Sequence, residues 1–261
     1  MKLSLIITTY NWSDSLVLTL KSIENQTISP DEVIIADDGS TDETQEVISK
    51  FQQDSELKII HSWQEDLGFR VAKSRNKAIA KSYGDYIVLI DGDIILHPKF
   101  IQDHVNNVKV GYFIQGSRVL LTQDITEQII IRKKISFSFL SKGLQSRKNA
   151  IHSNFLSRIF SNRKNSHRST RCCNIAFFKQ DCININGFNN EFEGWGREDS
   201  EFVVRLINNG LNRKNLRFNA IQYHLWHKVS DRKYLDYNNQ LLQNSIEHKL
   251  KVCEKGINKY I

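Results

Sequence analysis

Long apolar runs are the first thing this 261-residue sequence lacks. None approaches the roughly 20 residues of a membrane-crossing helix, so a composition 40% hydrophobic and 25% charged reads as that of a soluble globular protein. Only Lys2 precedes the short apolar stretch Leu3–Ile7, and no cleavage pattern follows; a secretory leader is not expected. Cysteine is scarce: Cys172, Cys173, Cys182 and Cys253 form no CxxC pair and no zinc-like spacing. Two of them are sequence neighbours, which is poor disulfide geometry, so reduced thiols in a cytoplasmic protein are expected. No GxGxxG follows the first apolar run and no GxxxxGKS/T occurs, which argues against dinucleotide-binding Rossmann sites and excludes P-loops. Acidic residues are absent between Glu127 and Asp181, although Lys and Arg recur there. The formal charge of +7 is therefore local, and the rest of the chain is net acidic.

What is present alternates, at a length that suits one large α/β domain, alone or with an appended subdomain. Lys2–Thr9 reads as a buried strand, and Ser13 as the N-cap of a helix through Leu16, Leu20 and Ile23 that Ser29-Pro30 ends. Glu32–Ala36 is a second strand leading into Asp37-Asp38-Gly39-Ser40-Thr41-Asp42, with Thr41 capping a helix through Val47, Ile48 and Phe51. Leu57–His61 is a third strand, and Phe69–Tyr83 a helix carrying Arg70, Lys73, Arg75 and Asn76. Tyr86–Ile90 is continuously apolar and mostly β-branched, bounded by Gly84-Asp85 and Asp91-Gly92-Asp93; such a run fits a central strand buried on both faces. This alternation predicts βαβ units and a mainly parallel sheet. Ligands bind such sheets at the carboxyl ends of strands, where Thr8–Tyr10, Asp37-Asp38 and Asp91–Asp93 all fall.

Asp91 and Asp93, one residue apart at the end of a buried strand, are costly unless a cation pairs with them. Their oxygens suit Mg²⁺ or Mn²⁺; a solvated D-G turn is the plainer alternative. Three acidic or polar strand ends in one series favour a site. TTYN at 8–11, QT at 26–27, DDGSTD at 37–42, RVAKSRN at 70–76 and DGD at 91–93 make residues 1–118 resemble the nucleotide-sugar-binding half of a family 2 glycosyltransferase of GT-A fold. The resemblance implies a Rossmann-like, mainly parallel sheet flanked by helices, with a smaller acceptor-side subdomain. It implies a UDP-sugar donor, with Thr8, Tyr10 and Asp38 around the nucleobase and ribose and Arg75 approaching the diphosphate. It also implies Asp93 as direct ligand of Mn²⁺ or Mg²⁺, and Asp91 as a contact to the ribose or sugar.

Gly111–Leu121 reads as a further strand, with Gly116-Ser117-Arg118 placed to line a site. The basic segment within residues 119–171 interleaves Lys133-Lys134, Arg147-Lys148 and Arg163-Lys164 with Phe137, Phe139, Leu140, Phe155, Leu156, Ile159 and Phe160. Such a stretch either lies on an anionic membrane surface or is a solvated, partly mobile insertion. No nucleic-acid-binding motif accompanies it, so no nucleic-acid partner is expected.

Residues 172–261 form the second half, in which Asn174–Lys179 reads as a strand. Gly194-Trp195-Gly196-Arg197-Glu198-Asp199 opens a helix through Phe202, Val203, Leu206 and Ile207 that Gly210 stops. Acidic residues in a first turn suit the helix dipole by themselves, but two glycines around an indole are not needed for capping, and they let a ring approach a ligand. GWGREDSEF resembles the GWG-x-ED block of galactosyltransferase-type C-terminal halves, with Arg197 and Ser200 departing from it. Carried over, Asp199 is the catalytic base, Glu198 binds acceptor hydroxyls and Trp195 packs on substrate. The chemistry agrees: an inverting transfer needs one carboxylate to take the acceptor proton, and a departing nucleoside diphosphate needs a cation. Ala220–His227 reads as a strand that puts His224 and His227 on opposite faces, so that one of them reaches the metal. The resemblance places a ligand histidine before a polar, basic loop, which His227 matches, with Lys228 and the stretch to Arg232 following; His224 is the second choice. Lys233–Ile261 reads as a closing polar helix.

Together these imply an inverting, metal-dependent transferase moving a sugar from a UDP-sugar to a hydroxyl of a glycan or lipid-linked oligosaccharide in surface-polysaccharide synthesis. The expected location is the cytoplasm, free or peripheral on the inner face of the cell membrane. The alternatives are an inactive carbohydrate-binding scaffold of the same fold and a sugar-phosphate nucleotidyltransferase. The latter wants a Gly-rich basic loop after the first strand, where this chain has TTYN.

Overall fold

The computed structural model of the chain describes residues 1–228 and 231–261. The first half alternates as its apolar runs dictate: β1 (Leu3–Thr9), α1 (Ser13–Glu24), β2 (Glu32–Asp37), α2 (Asp42–Asp54), β3 (Ile59–Trp63), α3 (Val71–Lys81) and β4 (Tyr86–Asp91). There follow β5 (Ile94–Leu96), α4 (Phe100–Asn107), β6 (Tyr112–Gln115), β7 (Val119–Leu121), α5 (Gln123–Arg132), β8 (Leu144–Gln145), α6 (Asn154–Phe160) and β9 (Asn162–Arg163). The chain continues through β10 (Asn174–Phe178), α7 (Lys179–Asn184), α8 (Glu198–Asn208), β11 (Asn212–Asn215), β12 (Gln222–His224) and α9 (Leu235–Glu247).

An eight-stranded sheet runs β3-β2-β1-β4-β10-β6-β11-β9. Its first four strands are parallel, and β10 enters antiparallel to both β4 and β6. Both faces are covered, as the buried, largely apolar runs of β1 and β4 require. Leu5, Ile7, Val88 and Ile90 pack with Leu16 and Leu20 of α1 and Phe100 of α4. Ile6, Ile87 and Leu89 pack on the other face with Ala72 and Ile79 of α3 and Phe202 and Leu206 of α8. Each of these Leu, Ile, Val and Phe side chains, fully buried, contributes about 1.5–3 kcal/mol. A second sheet, β5-β12-β7-β8, covers a third cluster built on Ile95, Val119, Tyr223 and Leu225.

Local chemistry differs from expectation at several ends. Trp12 is the N-cap of α1, and the Ser13 hydroxyl donates instead to Glu43 Oε1 at 2.5 Å; the helix ends at Glu24, ahead of Ser29-Pro30. Thr41 does sit at the N-cap of α2, but its hydroxyl and N–H both donate to Asn11 Oδ1. The single strand expected over 111–121 is two, in different sheets. The chain leaves the large sheet at Gly116, whose N–H donates to Asn174 O and whose Cβ, if present, would overlap the Asn174 amide at 2.2 Å. The basic segment is not one amphipathic run but α5, β8, a short turn, α6 and β9, the last pairing with β11. The closing helix is confined to α9, and the tail beyond it is irregular apart from one short turn.

One buried pair fixes the helix that carries Glu198 and Asp199. Arg205 donates to both oxygens of Glu201 (2.6 and 2.7 Å) and to Ile185 O at 2.6 Å, and the Ser245 hydroxyl donates to Glu201 Oε1. These contacts tie α8 to the end of α7 and to α9.

Candidate active site

Register places the first residues. In the parallel β1–β4 pair Thr8 lies opposite Asp91, and in the β1–β2 pair Thr9 lies opposite Asp37. The polar ends of the three strands therefore share one edge of the sheet. Arg75, buried on α3, fills the space behind that edge. Its Nε donates to Thr8 Oγ1 (3.3 Å), its Nη2 to Asp91 Oδ1 (3.4 Å), and its Nη1 to Asp199 Oδ1 (3.0 Å) and Glu198 Oε1 (3.4 Å). Asp199 Oδ2 accepts the Cys172 N–H at 2.8 Å, so both of its oxygens are held. One guanidinium thus serves three carboxylates. The deficit of positive charge appears in the proton affinities. Burial, then the neighbouring Asp199, raises Glu198 to about 8 against the partial relief of Arg75. Burial likewise raises Asp91 to about 7, with Arg75 opposing it and Asp93 and Asp199 adding to it.

Gly92 separates the two carboxylates of β4's end. Its N–H donates to Thr8 O (2.7 Å), its carbonyl accepts the Thr19 hydroxyl (2.9 Å), and a Cβ would meet Thr9 Oγ1 at 3.0 Å. The turn sends Asp91 toward Arg75 and Asp93 toward two histidines. Asp93 Oδ2 lies 3.6 Å from His224 Nε2 and 3.4 Å from His227 Nε2. One ligand atom from each of the three residues lies within 4.8 Å of the others. The expectation that only one histidine reaches the site is corrected. β12 ends at His224; the Leu225 N–H still donates to Asp93 O (3.0 Å), in register with the β5 pairing, but strand parity does not extend to His227.

The tautomers follow from the partners. His224 Nδ1 lies 2.7 Å from Leu225 O and His227 Nδ1 lies 2.7 Å from Lys228 O. A carbonyl only accepts, so each Nδ1 carries the proton. When the rings are neutral, each Nε2 then presents a lone pair toward a carboxylate. Burial, the largest influence on His224, lowers its proton affinity and favours that neutral form. Asp93 Oδ1 is buried without a hydrogen-bond partner among the described residues. Two imidazole lone pairs and a carboxylate, one oxygen of which has no partner among the described residues, suit a divalent cation. Residues 229 and 230, in the expected loop up to Arg232, lie outside the described residues.

On the far side of the edge, the two aspartates after β2 divide their work. Asp37 Oδ1 accepts the N–H groups of Gly39 and Ser40, and its Oδ2 pairs with His61 at 2.9 Å; it builds the turn. Asp38 accepts the Arg70 N–H (2.7 Å) and the Gln64 amide (2.5 Å), while burial raises its proton affinity despite them. Tyr10 is half exposed and donates to Asp66 Oδ2 at 2.8 Å. Gln64 and Asp66 were not expected here, because the sequence reading ended β3 at His61, two residues before the structure does. Trp195 lies between two glycines. Gly194 and Gly196 both take left-handed φ (+66° and +108°), and a Cβ on Gly194 would strike the Tyr234 ring at 2.5 Å. The indole is 38% exposed, with the Arg232 guanidinium 5.5 Å from its centroid. Arg75, expected near a diphosphate, has every nitrogen engaged by Thr8 or the carboxylates, with one of its five N–H groups, on Nη2, left over.

Comparison with known proteins bears on this geometry. A family model described as Glycosyl transferase family 2 matches residues 4–181, and one described as N-terminal domain of galactosyltransferase matches residues 156–228. The chain is 27% identical over 245 residues to a chondroitin synthase of Escherichia coli, covering 85% of this chain and 34% of that protein. It spans only about a third of that relative's length. Among solved structures it resembles S. aureus TarS 1-349 in complex with UDP, with TM-score 0.64 and 18% identity over 95% of this chain and 68% of that one. It also resembles a mannosyltransferase, PcManGT from Pyrobaculum calidifontis, in complex with GDP-Man and Mn²⁺, with TM-score 0.60 and 16% identity over 90% and 59% of the two chains. These likenesses establish the GT-A fold expected from the sequence.

Proposed function

The chain belongs to glycosyl transferase family 2, and we propose that it moves one sugar, with inversion, from a UDP-sugar to a hydroxyl of a glycan or lipid-linked oligosaccharide. The observation that carries this reading is the convergence of Asp93, His224 and His227 beside the Arg75–Asp91–Asp199 cluster at one sheet edge. The TarS complex with UDP and the mannosyltransferase complex with Mn²⁺ support a nucleotide-sugar donor and a divalent cation. Mn²⁺ or Mg²⁺ held by Asp93 and the two histidines would supply positive charge to the departing diphosphate. Thr8, Tyr10 and Asp38 border the space for the nucleoside, and Asp91 the ribose or sugar. Arg75 and the Cys172 N–H orient Asp199, which takes the proton of the acceptor hydroxyl as its oxygen attacks the anomeric carbon. Glu198, proton-bearing near neutrality, donates to or orients an acceptor oxygen, and Trp195 offers a ring face to a sugar.

Thermal stability in the presence of UDP-, GDP-, CMP- and TDP-sugars, each with Mn²⁺, Mg²⁺ or EDTA, tests the donor and the metal together. A UDP-sugar at 100 times its Kd should stabilise the fold by about 2.7 kcal/mol, an effect lost in EDTA and in Asp93→Ala. Absence of stabilisation by every nucleotide with every metal would remove the transferase reading and favour the carbohydrate-binding scaffold.

The basic segment carries the proposed membrane contact. Phe155 and Ile159 project one turn apart from α6 at 72% and 57% exposure, with exposed Arg158, Arg163 and Lys164 nearby. Apolar groups among cations suit an anionic lipid surface. Cosedimentation with phosphatidylglycerol vesicles should fall at high salt and in the Phe155→Ser, Ile159→Ser double variant. Equal binding to phosphatidylcholine vesicles would count against this contact.

A further inference from the structure

A cleft of about 640 Å³ opens beside the Glu198-Asp199 pair, between the first turn of α8, one face of α9 and residues 167–169. Arg197 and Ser200, which flank that pair in sequence, line one wall, and His167 and Arg168 line another. Asn239 and Gln243 contribute side-chain amides from α9, while Leu242 and Ile246, one turn apart, give an apolar floor. No lining residue is acidic. Arg197 donates its Nε to Asn239 Oδ1 at 2.7 Å, which steadies the guanidinium and leaves Nη1 and Nη2 without partners among the described residues. The exposed Arg168 side chain likewise has none among them, whereas its carbonyl, with those of Ser166 and Ser169, is held by Arg213. Positive charge is crowded here: burial first, then Arg168, Arg197 and Arg213, lower the proton affinity of His167.

Cations gathered in a concave site without carboxylates raise the local concentration of anions, and two free guanidinium forks match carboxylate or phosphate oxygens. Two of its lining residues, Arg197 and Ser200, flank Glu198 and Asp199 in the chain, and residues 167–169 run up to Cys172, whose N–H holds Asp199, whereas Thr8, Tyr10 and Asp38 follow β1 and β2. The anion it suits therefore belongs to the acceptor and not to the donor diphosphate. We propose that this cleft is an acceptor subsite for an acidic glycan, in which Arg168 and Arg197 bind the carboxylate or phosphodiester of the unit next to the attacked hydroxyl. The polar amides suit hydroxyls of the same unit, and Leu242 and Ile246 suit its apolar face. This rests on the transferase reading and adds a substrate class to it.

Calorimetric titration of the full chain, saturated with UDP and Mn²⁺, uses three probes: oligogalacturonate for carboxylate, oligo(glycerol phosphate) for phosphodiester, and maltohexaose as neutral control. One anionic probe should bind at least tenfold tighter than maltohexaose, and which one does so identifies the anion. The surface double variant Arg168→Gln, Arg197→Gln should weaken that probe at least tenfold. The pair Lys50→Gln, Lys58→Gln, on α2 and just before β3 at the opposite edge of the large sheet, should leave it unchanged. Equal binding of all probes, an unaffected first variant or an equal loss in both variants overturns the subsite. Stabilisation by UDP is read in parallel; its absence from the parent sinks the transferase reading, whereas its presence without anion discrimination sinks only the subsite.

Discussion

Asn in place of Asp199 should lower kcat by about 10²–10⁴-fold, the usual contribution of a positioned general base, while UDP with Mn²⁺ still raises Tm. The substitution is nearly isosteric, but the site makes it more than the loss of a proton acceptor. Asp199 receives two donors, Arg75 Nη1 on Oδ1 and the Cys172 N–H on Oδ2. An asparagine offers one carbonyl oxygen and one NH₂, so one donor must lose its partner. An unsatisfied buried donor costs about 1–3 kcal/mol, and denaturant unfolding should register that loss. Donor binding is spared because Thr8, Tyr10, Asp38 and the Asp93–His224–His227 group keep their own contacts. Steady-state kinetics with the donor identified by thermal shift checks this. Turnover within tenfold of the parent would remove Asp199 from the role of base, and loss of UDP binding would show that it serves the donor instead.

The strand ends were legible in sequence because buried parallel strands are continuous apolar runs that stop at polar residues. Tyr86–Ile90 followed by Asp91-Gly92-Asp93 is such a case, and residues 4–181 match the family model. The entry of β10 between β4 and β6 was not legible, since no alternation marks an antiparallel return from 84 residues away in sequence. Pairing at long range hid the role of Arg75 as well. Its partners Glu198 and Asp199 stand 123 and 124 positions further on, and nothing in RVAKSRN announces them. His224 was misjudged for a different reason. Parity along a strand holds only while the strand continues, and β12 ends at His224, three residues before His227. Gly116 shows the same limit: the stretch from 111 to 121 reads as one strand until the approach of Asn174 divides it.

Arg75→Met should destabilise the fold by about 3–5 kcal/mol, the cost of removing one partner from a buried ionic group, and the penalty should grow with pH. The guanidinium is the cation shared by Asp91, Glu198 and Asp199. In the parent Glu198 is already raised to about 8 by burial and by Asp199, with Arg75 pulling the other way. Removing Arg75 raises it further. Between the unfolded carboxyl value, about 4.3, and the folded one, the native state holds a proton that the unfolded state has released. Stability then falls as pH rises, by up to about 1.4 kcal/mol per pH unit for one proton. In the parent this fall ends near pH 8; in the variant it continues above that. Denaturant unfolding of both proteins at about pH 6 and about pH 9 should show the wider gap at the higher pH. A gap that narrows toward pH 9 would mean that the carboxylates ionise without the guanidinium, and that some other group neutralises this edge of the sheet.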